Sequence, residues 1–274
     1  MPLKLKDFKW SVSGNVAYNY NYVSKYESPN NSLFTSVTLN YPLGSIFGYK
    51  STGINPTTGI YNYELRPNVE VTQPSDMRNY KNYIYYLGTD NAPWNGGVST
   101  NITYKRLTVS ANGAFSIGAL KSYIVQSPVG YSGLTSKVYN TIFSQSDDLY
   151  STHLNMPKDA ARRWTASNPV TDGYPRLIDA FAEYNGLELD QPNMNTQAKS
   201  QEYDDASFFK LSSVSLSYAV PDKWIRHIGI SSMGVSFTAN NLFMLTGFKG
   251  LNPETPGAVY PTSKNYSFGI NIGL

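Results

Sequence analysis

The stretch FKWSVSGNVAYNYNY, residues 8–22, alternates between two kinds of side chain. Its even positions are mostly apolar or aromatic, namely Phe8, Trp10, Val12, Gly14, Val16, Tyr18, Tyr20 and Tyr22. Its odd positions are mostly small and polar, namely Lys9, Ser11, Ser13, Asn15, Ala17, Asn19 and Asn21. Because successive side chains of a β-strand point to opposite faces, this alternation predicts one strand of about fifteen residues with an apolar and a polar face.

The same two-residue period recurs elsewhere, whereas helical periodicity is scarce, so the chain is predicted to be all-β. The further predicted strands cover residues 98–104, 107–117, 207–220, 233–239 and 265–274. Six strands would then be joined alternately by short and long connections. The short ones lie near 105 and over 221–231, and the long ones over roughly 23–94, 119–206 and 247–263. Structureless connections beyond about 15 residues are uncommon in compact domains.

Short turns on one side and long loops on the other are typical of outer-membrane barrels, whose turns are periplasmic and whose loops are extracellular. Composition favours the same fold, since only 15% of residues are charged and 14% are aromatic. The polar faces carry Ser, Thr, Asn, Gly and Ala, which suit a watery lumen. A Lys or Arg on the lipid face at mid-depth would cost about 2–4 kcal/mol, and the apolar faces carry almost no charge. We therefore predict an antiparallel transmembrane β-barrel segment of about six strands.

The alternative fold is a β-sandwich with a tyrosine-rich core, which would be a secreted or surface carbohydrate-binding module. The two folds differ in where Phe8, Val12, Val16 and Tyr18 point. In the sandwich these side chains pack against a second sheet of the same chain. In the barrel segment they face outward and are exposed.

Several other classes of protein have no support in the sequence. A formal net charge of +3, without a long Lys/Arg run, argues against nucleic-acid binding. There are no cysteines, which excludes disulfide scaffolds and thiolate metal sites. No run approaches 18 apolar residues, as a membrane-spanning helix requires. The start, MPLKLKDFKW, lacks the apolar region of a signal peptide, so we expect either an intracellular protein or a chain that is not the whole precursor.

Candidate catalytic and metal-binding residues are few. The two histidines, His153 and His227, are far apart and lack a neighbouring ligand pattern. Asp147–Asp148, Asp204–Asp205 and Glu183 could pair as glycosidase carboxylates, which need a separation of about 5–9.5 Å, but loop acids more often cap turns. No GxSxG, HExxH or P-loop motif is present. We predict no enzyme activity, no catalytic or metal-binding residue and no cofactor.

The long loops contain aromatic and basic residues with two possible uses each. The run NYIYYLG (82–88) and Trp94 are assigned to a long external loop, where they could stack on sugars or contact a lid protein, but more simply form the core of the loop. Arg162 and Arg163, in a possible helical turn, are expected to form loop salt bridges.

The short connection PDKWIRHIG (221–229) is predicted to form a periplasmic turn. Trp224 and Ile225 are expected to dip toward the membrane edge while the side chains of Lys223 and Arg226 stay in water. Gly44, Gly48, Gly53 and Gly59 are spaced for turns and not for a phosphate cradle.

The final stretch, YSFGINIGL (266–274), is a predicted strand that runs to the last residue. Barrels close by pairing their last strand with their first, which suits such an ending. The tail also resembles the signal read by the bacterial barrel-assembly machinery. The residues that fit this signal are Ser267, Gly269, Ile272 and Leu274, although the terminal residue is more often aromatic.

Three stretches resemble the C-terminus of SusC/RagA-type TonB-dependent outer-membrane transporters, in order and close to the spacing of that family. They are DASFFKLSSVSLSYAVPDKW (205–224), NNLFMLTGFKGLNPE (240–254) and YPTSKNYSFGINIGL (260–274). Weaker similarity lies in 7–21, 41–59, 96–118 and 162–176. Asn252 stands where the family more often has Asp.

The resemblance implies a barrel of about 22 strands with an N-terminal plug, in the outer membrane of a Bacteroidetes-like Gram-negative bacterium. It implies import of glycan or peptide fragments, energised through TonB, with a SusD-like lipoprotein as partner. Residues 1–274 would be the C-terminal portion, without plug and N-terminal strands. The other implied partners are the lipid bilayer, the remaining barrel and plug, and the barrel-assembly machinery. No substrate-binding residue is assigned from the sequence.

Overall fold

The structure is a computed structural model that describes residues 3–5, 7–25, 37–59, 61–70, 80–122, 162–172, 198–199, 203–256 and 261–274. Its strands are β1 (Leu3–Leu5), β2 (Phe8–Tyr18), β3 (Ser45–Tyr49), β4 (Ser51–Ile54), β5 (Tyr61–Tyr63), β6 (Ile84–Thr89), β7 (Trp94–Tyr104), β8 (Leu107–Ile117), β9 (Leu120–Ser122), β10 (Ala198–Lys199), β11 (Tyr203–Asp205), β12 (Phe208–Ala219), β13 (Ser232–Thr246) and β14 (Asn265–Gly273). One α-helical turn, α1, spans Asp222–Ile225, and 3₁₀ turns span Tyr80–Tyr83 and Arg226–Ile228. Within these ranges no helix has the length and apolar character needed to cross a bilayer.

The main sheet contains seven antiparallel strands in the order β1-β2-β7-β8-β12-β13-β14. Six of them are long and match the six predicted strands, which confirms the all-β prediction. Phe8 and Gly273 both lie at the end with the short connections, so the sheet starts and finishes on one side. Trp94 is the first residue of β7 and pairs with Tyr18 and Ile117, so its assignment to a loop was wrong.

Side chains of one kind form rows across the whole sheet. One row of partners contains small polar residues in all six long strands: Ser11, Asn101, Ser110, Ser215, Thr238 and Ser267. The next row is entirely apolar: Trp10, Ile102, Val109, Leu216, Phe237 and Phe268. Neighbouring rows point to opposite faces, so the alternation of each strand adds up to one polar and one apolar face of the sheet.

The apolar face is open. Trp10 is 43% exposed, Val16 64% and Phe268 70%, and among the described residues no second sheet covers them. On the polar face, neighbouring strands exchange side-chain hydrogen bonds, as between Ser13 Oγ and Ser99 Oγ at 2.6 Å. The outward orientation predicted for the even positions of the first strand is therefore confirmed.

The short connections are tight. Lys105 (φ 54°) turns the chain between β7 and β8. In the second connection, the carboxylate of Asp222 lies 3.6 Å from the guanidinium of Arg106 and 3.5 Å from that of Arg226. Trp224 is exposed, and its approach to the membrane edge stays a prediction. Ile225 is buried within the chain, so the expectation that it dips toward the membrane was wrong. Successive side chains of a helical turn point about 100° apart, which prevents these two from sharing a direction.

Most buried residues of the described chain lie at the loop end. Strands β10, β3 and β6 form a small sheet, and Phe47, Tyr49, Tyr83 and Ile84 form its core. The interpretation that NYIYYLG supplies the core of its own loop is confirmed for Tyr83 and Ile84. Of the glycines predicted to lie in turns, Gly44 and Gly59 lie outside the strands and have positive φ. The prediction was wrong for Gly48, which lies inside β3, and for Gly53, which has positive φ but lies inside β4.

Candidate functional site: a cavity at the loop end of the polar face

A cavity of about 760 Å³ lies where the long strands leave the main sheet toward the loops. Strand ends on the polar face supply one side of it, including Asn95, Ser116 and Phe208. The long strands also contribute Ala114, Phe115 and Lys210, and the short strands β6 and β9 contribute Thr89 and Lys121. The remaining lining comes from the loops: Asn19, Asn21, Leu43, Asp90, Asn91, Ala92, Pro93, Ala119, Ala206, Pro253 and Glu254. Ligand sites of proteins typically enclose about 300–1,000 Å³, so this cavity has the size of a binding site.

Hydrogen bonds to the backbone fix the part of the wall that contains asparagines. The Asn21 Oδ1 atom accepts the N–H of Leu43 at 2.8 Å, and the Asn91 Nδ2 atom donates to the Leu43 carbonyl at 3.0 Å. The Asn95 Nδ2 atom donates to the Ala92 carbonyl at 2.8 Å. These amides hold three chain segments together at the mouth of the cavity, which gives it a defined shape.

Gly44 positions the carboxylate at the rim. The N–H of Asp90 donates to the Gly44 carbonyl at 3.0 Å, and Gly44 has φ +81°. A Cβ at this position would overlap the carboxylate of Asp90. The backbone angle therefore favours glycine here, and any larger residue would also displace the Asp90 side chain.

Four charged side chains line the cavity, and two of them form a pair. Lys210 Nζ donates to Glu254 Oε1 at 2.5 Å, which links strand β12 to the loop after β13. Within the described residues, the side chains of Asp90 and Lys121 make no hydrogen bond or ion pair. The part of the lining that the structure describes thus contains one carboxylate, which is exposed, and one ammonium group, opposite Asp204 in the neighbouring strand, without a hydrogen-bonded side-chain partner.

The other described residues that the sequence suggested as candidates do not line the cavity. Asp204 Oδ2 accepts the N–H of Lys249 at 2.9 Å and Asp205 Oδ1 accepts that of Ser207 at 2.9 Å, so this acidic pair caps turns. His227 lies in the 3₁₀ turn at the opposite end of the sheet. Arg162 and Arg163 begin a described segment in which the Trp164 indole donates to the Pro56 carbonyl at 2.9 Å. His153, Asp147–Asp148 and Glu183 lie outside the described residues.

No sequence pattern connects the cavity residues, because they come from separate segments of the chain. One signal was available, since Lys210 is the only charged residue in β12. Across the described ranges, no group of three His, Asp or Glu side chains is placed to hold a metal ion. The arrangement can bind a ligand by hydrogen bonds and charge. The lining contains no histidine that could act as a base for Ser116 or Thr89.

No protein-family model matches the sequence. The TonB-dependent receptor P39 of Formosa agariphila is 25% identical over 315 aligned positions, which cover 99% of this chain and 29% of that receptor. A solved structure of the RagAB peptide transporter matches with a TM-score of 0.70 and 24% identity over 98% of this chain and 28% of that one. The RagAB peptide importer in the "open-open" state matches with a TM-score of 0.67 and 22% identity, covering 100% and 27%.

These comparisons agree with the resemblance found in the sequence. The chain is similar to the C-terminal part of a SusC/RagA-type TonB-dependent transporter, and its sheet has the fold of such barrels. The predicted location in the outer membrane of a Bacteroidetes-like bacterium is confirmed. The chain spans less than a third of the length of the relatives that it matches.

Proposed function

We propose that residues 1–274 form the C-terminal portion of the barrel of a TonB-dependent transporter that imports glycan or peptide fragments. The observation that carries this proposal is the division of the six long strands into one exposed apolar face and one small, polar face. Lipid suits the first face and a water-filled lumen suits the second. The RagAB structures described as a peptide transporter and importer share this fold and support transport as the activity.

The edges of the sheet support a larger barrel. Among the described residues, β1 pairs only with β2 and β14 pairs only with β13. In lipid, each unpaired backbone N–H or C=O group costs several kcal/mol, so both edges require further strands. The partners in this proposal are therefore the remaining barrel with its plug, the bilayer and the barrel-assembly machinery. Two further partners in this proposal are a SusD-like lipoprotein at the loop end of the barrel and TonB at the periplasmic end.

The rival fold, a carbohydrate-binding sandwich, is disfavoured by the same face. Its core would contain Val12, Val16 and Phe268, yet each of these is more than 40% exposed. The related proteins are named as a receptor and a transporter, which supports our proposal that this chain is not an enzyme.

Uptake by cells tests the proposal. Cells that carry the complete transporter, and matched cells without its gene, would receive fluorescent oligopeptides and oligosaccharides in separate experiments. We expect gene-dependent import of one class, and its loss when the proton-motive force is dissipated. Equal uptake of both classes in both strains, with the protein present in outer-membrane fractions, would refute transport. Turnover of a glycan or peptide by the purified protein would refute the absence of catalysis.

A further inference from the structure

We propose that the two short connections, at the end of the main sheet opposite the cavity, form a binding surface for the headgroups of anionic phospholipids. Four basic side chains make up this surface, which we call the basic rim: Lys105, Arg106, Lys223 and Arg226. In the membrane orientation of the proposed function, on which this inference rests, the basic rim lies at the inner leaflet of the outer membrane.

Lys105 lies on the side of the sheet that we assign to lipid. Its neighbour Tyr104 pairs with Phe8 and Leu107 on the apolar face and is 51% exposed. The ammonium group of Lys105 lies 5.4 Å from the centre of the Tyr104 ring, within the range of a cation–π contact. This arrangement suits the boundary of a bilayer, because the ring can pack against acyl chains while the ammonium group reaches the phosphates.

The backbone of the first connection does not explain a lysine at this position. Lys105 and Arg106 form the two-residue loop between Tyr104 and Leu107, which pair across the hairpin. With φ +54°, Lys105 has a left-handed backbone conformation, which Gly and Asn adopt at lower cost. A glycine would therefore suit the fold better, and the property that lysine adds is its charge.

Arg106 joins the hairpin to the second short connection. Its guanidinium donates to the Val220 carbonyl at 3.1 Å and lies 3.6 Å from the carboxylate of Asp222. The same carboxylate lies 3.5 Å from the guanidinium of Arg226. The two connections therefore form one surface and not two separate turns.

The basic rim remains positively charged after this pairing. Asp7 and Asp222 are the acidic side chains that the structure describes at this end of the sheet, against the four cations of the rim. Lys223 is exposed, and Arg226 keeps 76% of its side chain exposed although it contacts Asp222. An anionic headgroup complements this excess of positive charge, and each Lys or Arg near an anionic membrane surface strengthens binding about fivefold.

Apolar side chains accompany the cations of the second connection. Trp224 is 64% exposed and Ile228 is 60% exposed, and they flank Arg226 in sequence. A soluble anion would leave these side chains in water, whereas a phospholipid brings acyl chains as well as a phosphate. The surface therefore fits a lipid better than a free phosphate.

Lys9 is the matched contrast. It lies at the same end of the sheet and is exposed, but it pairs with Thr103 on the polar face. In the barrel this face lines the lumen, so Lys9 should not contact bilayer lipid. Lys9→Met therefore removes the same charge from the other face.

Native mass spectrometry of the purified complete transporter tests the inference. The protein in detergent micelles is titrated with phosphatidylglycerol, which is anionic, and separately with phosphatidylethanolamine, which is zwitterionic. We expect the first phosphatidylglycerol to bind at least tenfold more tightly than the first phosphatidylethanolamine, because several cations meet one phosphate. Excess glycerol phosphate, which carries the anion without acyl chains, should not displace the bound lipid.

Two variants assign the residues. Lys105→Gly and Lys223→Met should each weaken binding of the first phosphatidylglycerol about fivefold and leave phosphatidylethanolamine unchanged. Lys9→Met should change neither. Because glycine accepts the positive φ at position 105, we expect Lys105→Gly to keep the wild-type unfolding temperature, and Lys105→Arg, which retains the charge, to keep the affinity.

Equal affinity of the wild-type protein for the two lipids would overturn the inference, as would equal weakening by Lys9→Met and Lys105→Gly. Displacement of phosphatidylglycerol by glycerol phosphate would indicate a site for free anions and would overturn the lipid as occupant. Uptake separates this inference from the proposed function. Absence of gene-dependent uptake would refute transport and leave a measured lipid preference in place, whereas normal uptake without a lipid preference would refute the basic rim alone.

Discussion

At the scale of single residues, two glycines on the apolar face are covered by aromatic rings. The ring of Phe115 lies over Gly96, and the ring of Phe209 lies over Gly113. Glycine inside a strand normally weakens it, since it has no side chain to pack. Here the neighbouring ring fills that space, so the pairs act as single packing units on the face that we assign to lipid.

The substitution Gly96→Ala tests this packing. An added Cβ would overlap the Asn15 carbonyl and would lie 2.5 Å from the Cζ atom of Phe115. Overpacking of this kind costs about 1–3 kcal/mol, so we expect a lower thermal unfolding temperature of the purified transporter. Gly234→Ala is the control, because its Cβ would have no neighbour nearer than the Tyr218 carbonyl at 3.9 Å. Equal unfolding temperatures of the two variants would contradict the packing.

At the scale of elements, alternation predicted which strands exist but not where they end. Strand β12 contains a bulge between Leu211 and Ser213, so its apolar positions change from odd (Phe209, Leu211) to even (Val214, Leu216). Strand β13 pairs with β14 only as far as Asn240 but continues to Thr246. Between the two parts, Asn241 has a positive φ of 55°. A pattern read with a fixed period of two cannot follow a strand through such irregularities.

The loop strands are linked by a polar cluster whose contribution to the stability of the fold depends on pH. Lys50 Nζ lies 2.6 Å from Glu64 Oε2. The Tyr85 hydroxyl donates its one proton to the Leu65 carbonyl at 2.7 Å and lies 3.3 Å from Glu64 Oε1. The hydrogen bond from Lys50 holds the pKa of Glu64 below its usual value, and the hydrogen bond to Glu64 raises the pKa of Lys50. Burial, followed by the charge of Glu64, raises the pKa of Tyr85.

The lowered pKa of Glu64 fixes the sign of the pH dependence. A carboxylate with a lower pKa in the folded state stabilises that state above its unfolded pKa, near 4.3, and the stabilisation is lost as the pH falls through the folded value. The raised pKa of Lys50 adds stabilisation that is lost only as the pH rises above about 10.4. The contribution is therefore complete near neutral pH and declines in acid.

Amide hydrogen exchange in strands β4 and β5 measures this effect. After correction for the intrinsic pH dependence of exchange, we expect protection in these strands to fall between pH 6 and pH 3 in the wild-type transporter. Glu64→Gln should show low protection throughout and a flat profile. A wild-type profile as flat as that of the variant would show that the cluster contributes nothing. Strand β8 in the main sheet is the internal reference.

At the scale of the whole molecule, the sequence predicted the sheet and its two faces but not the cavity. The two faces of a strand can be predicted from its alternation of apolar and polar residues, because these residues are adjacent in sequence. The cavity joins Asn19, Asp90, Lys121 and Glu254, which are distant in sequence and meet only when the strands have paired. The same limit explains why Phe47 and Tyr83 could not be paired as a core in advance.

The two faces predict opposite outcomes for neighbouring substitutions in the last strand. Ile272 pairs with Met233 on the apolar face and is 55% exposed, whereas Asn271 pairs with Gly234 on the polar face. Asp at position 272 would place a charge against hydrocarbon, at a cost of at most about 2–4 kcal/mol at mid-depth and less near the interface. Position 272 also belongs to the predicted assembly signal with Ser267, Gly269 and Leu274.

We expect Ile272→Asp in the complete transporter to lower its abundance in outer-membrane fractions far more than Asn271→Asp, because only the first change affects both the lipid face and the signal. Quantitative immunoblotting of fractionated membranes measures this difference. Ile270→Asp separates the two causes, since Ile270 lies on the same apolar face but outside the four signal positions. A loss confined to position 272 would indicate recognition by the assembly machinery, and a similar loss at both isoleucines would indicate the cost of charge in lipid. Equal abundance of the Ile272 and Asn271 variants would contradict both the assigned faces and the signal.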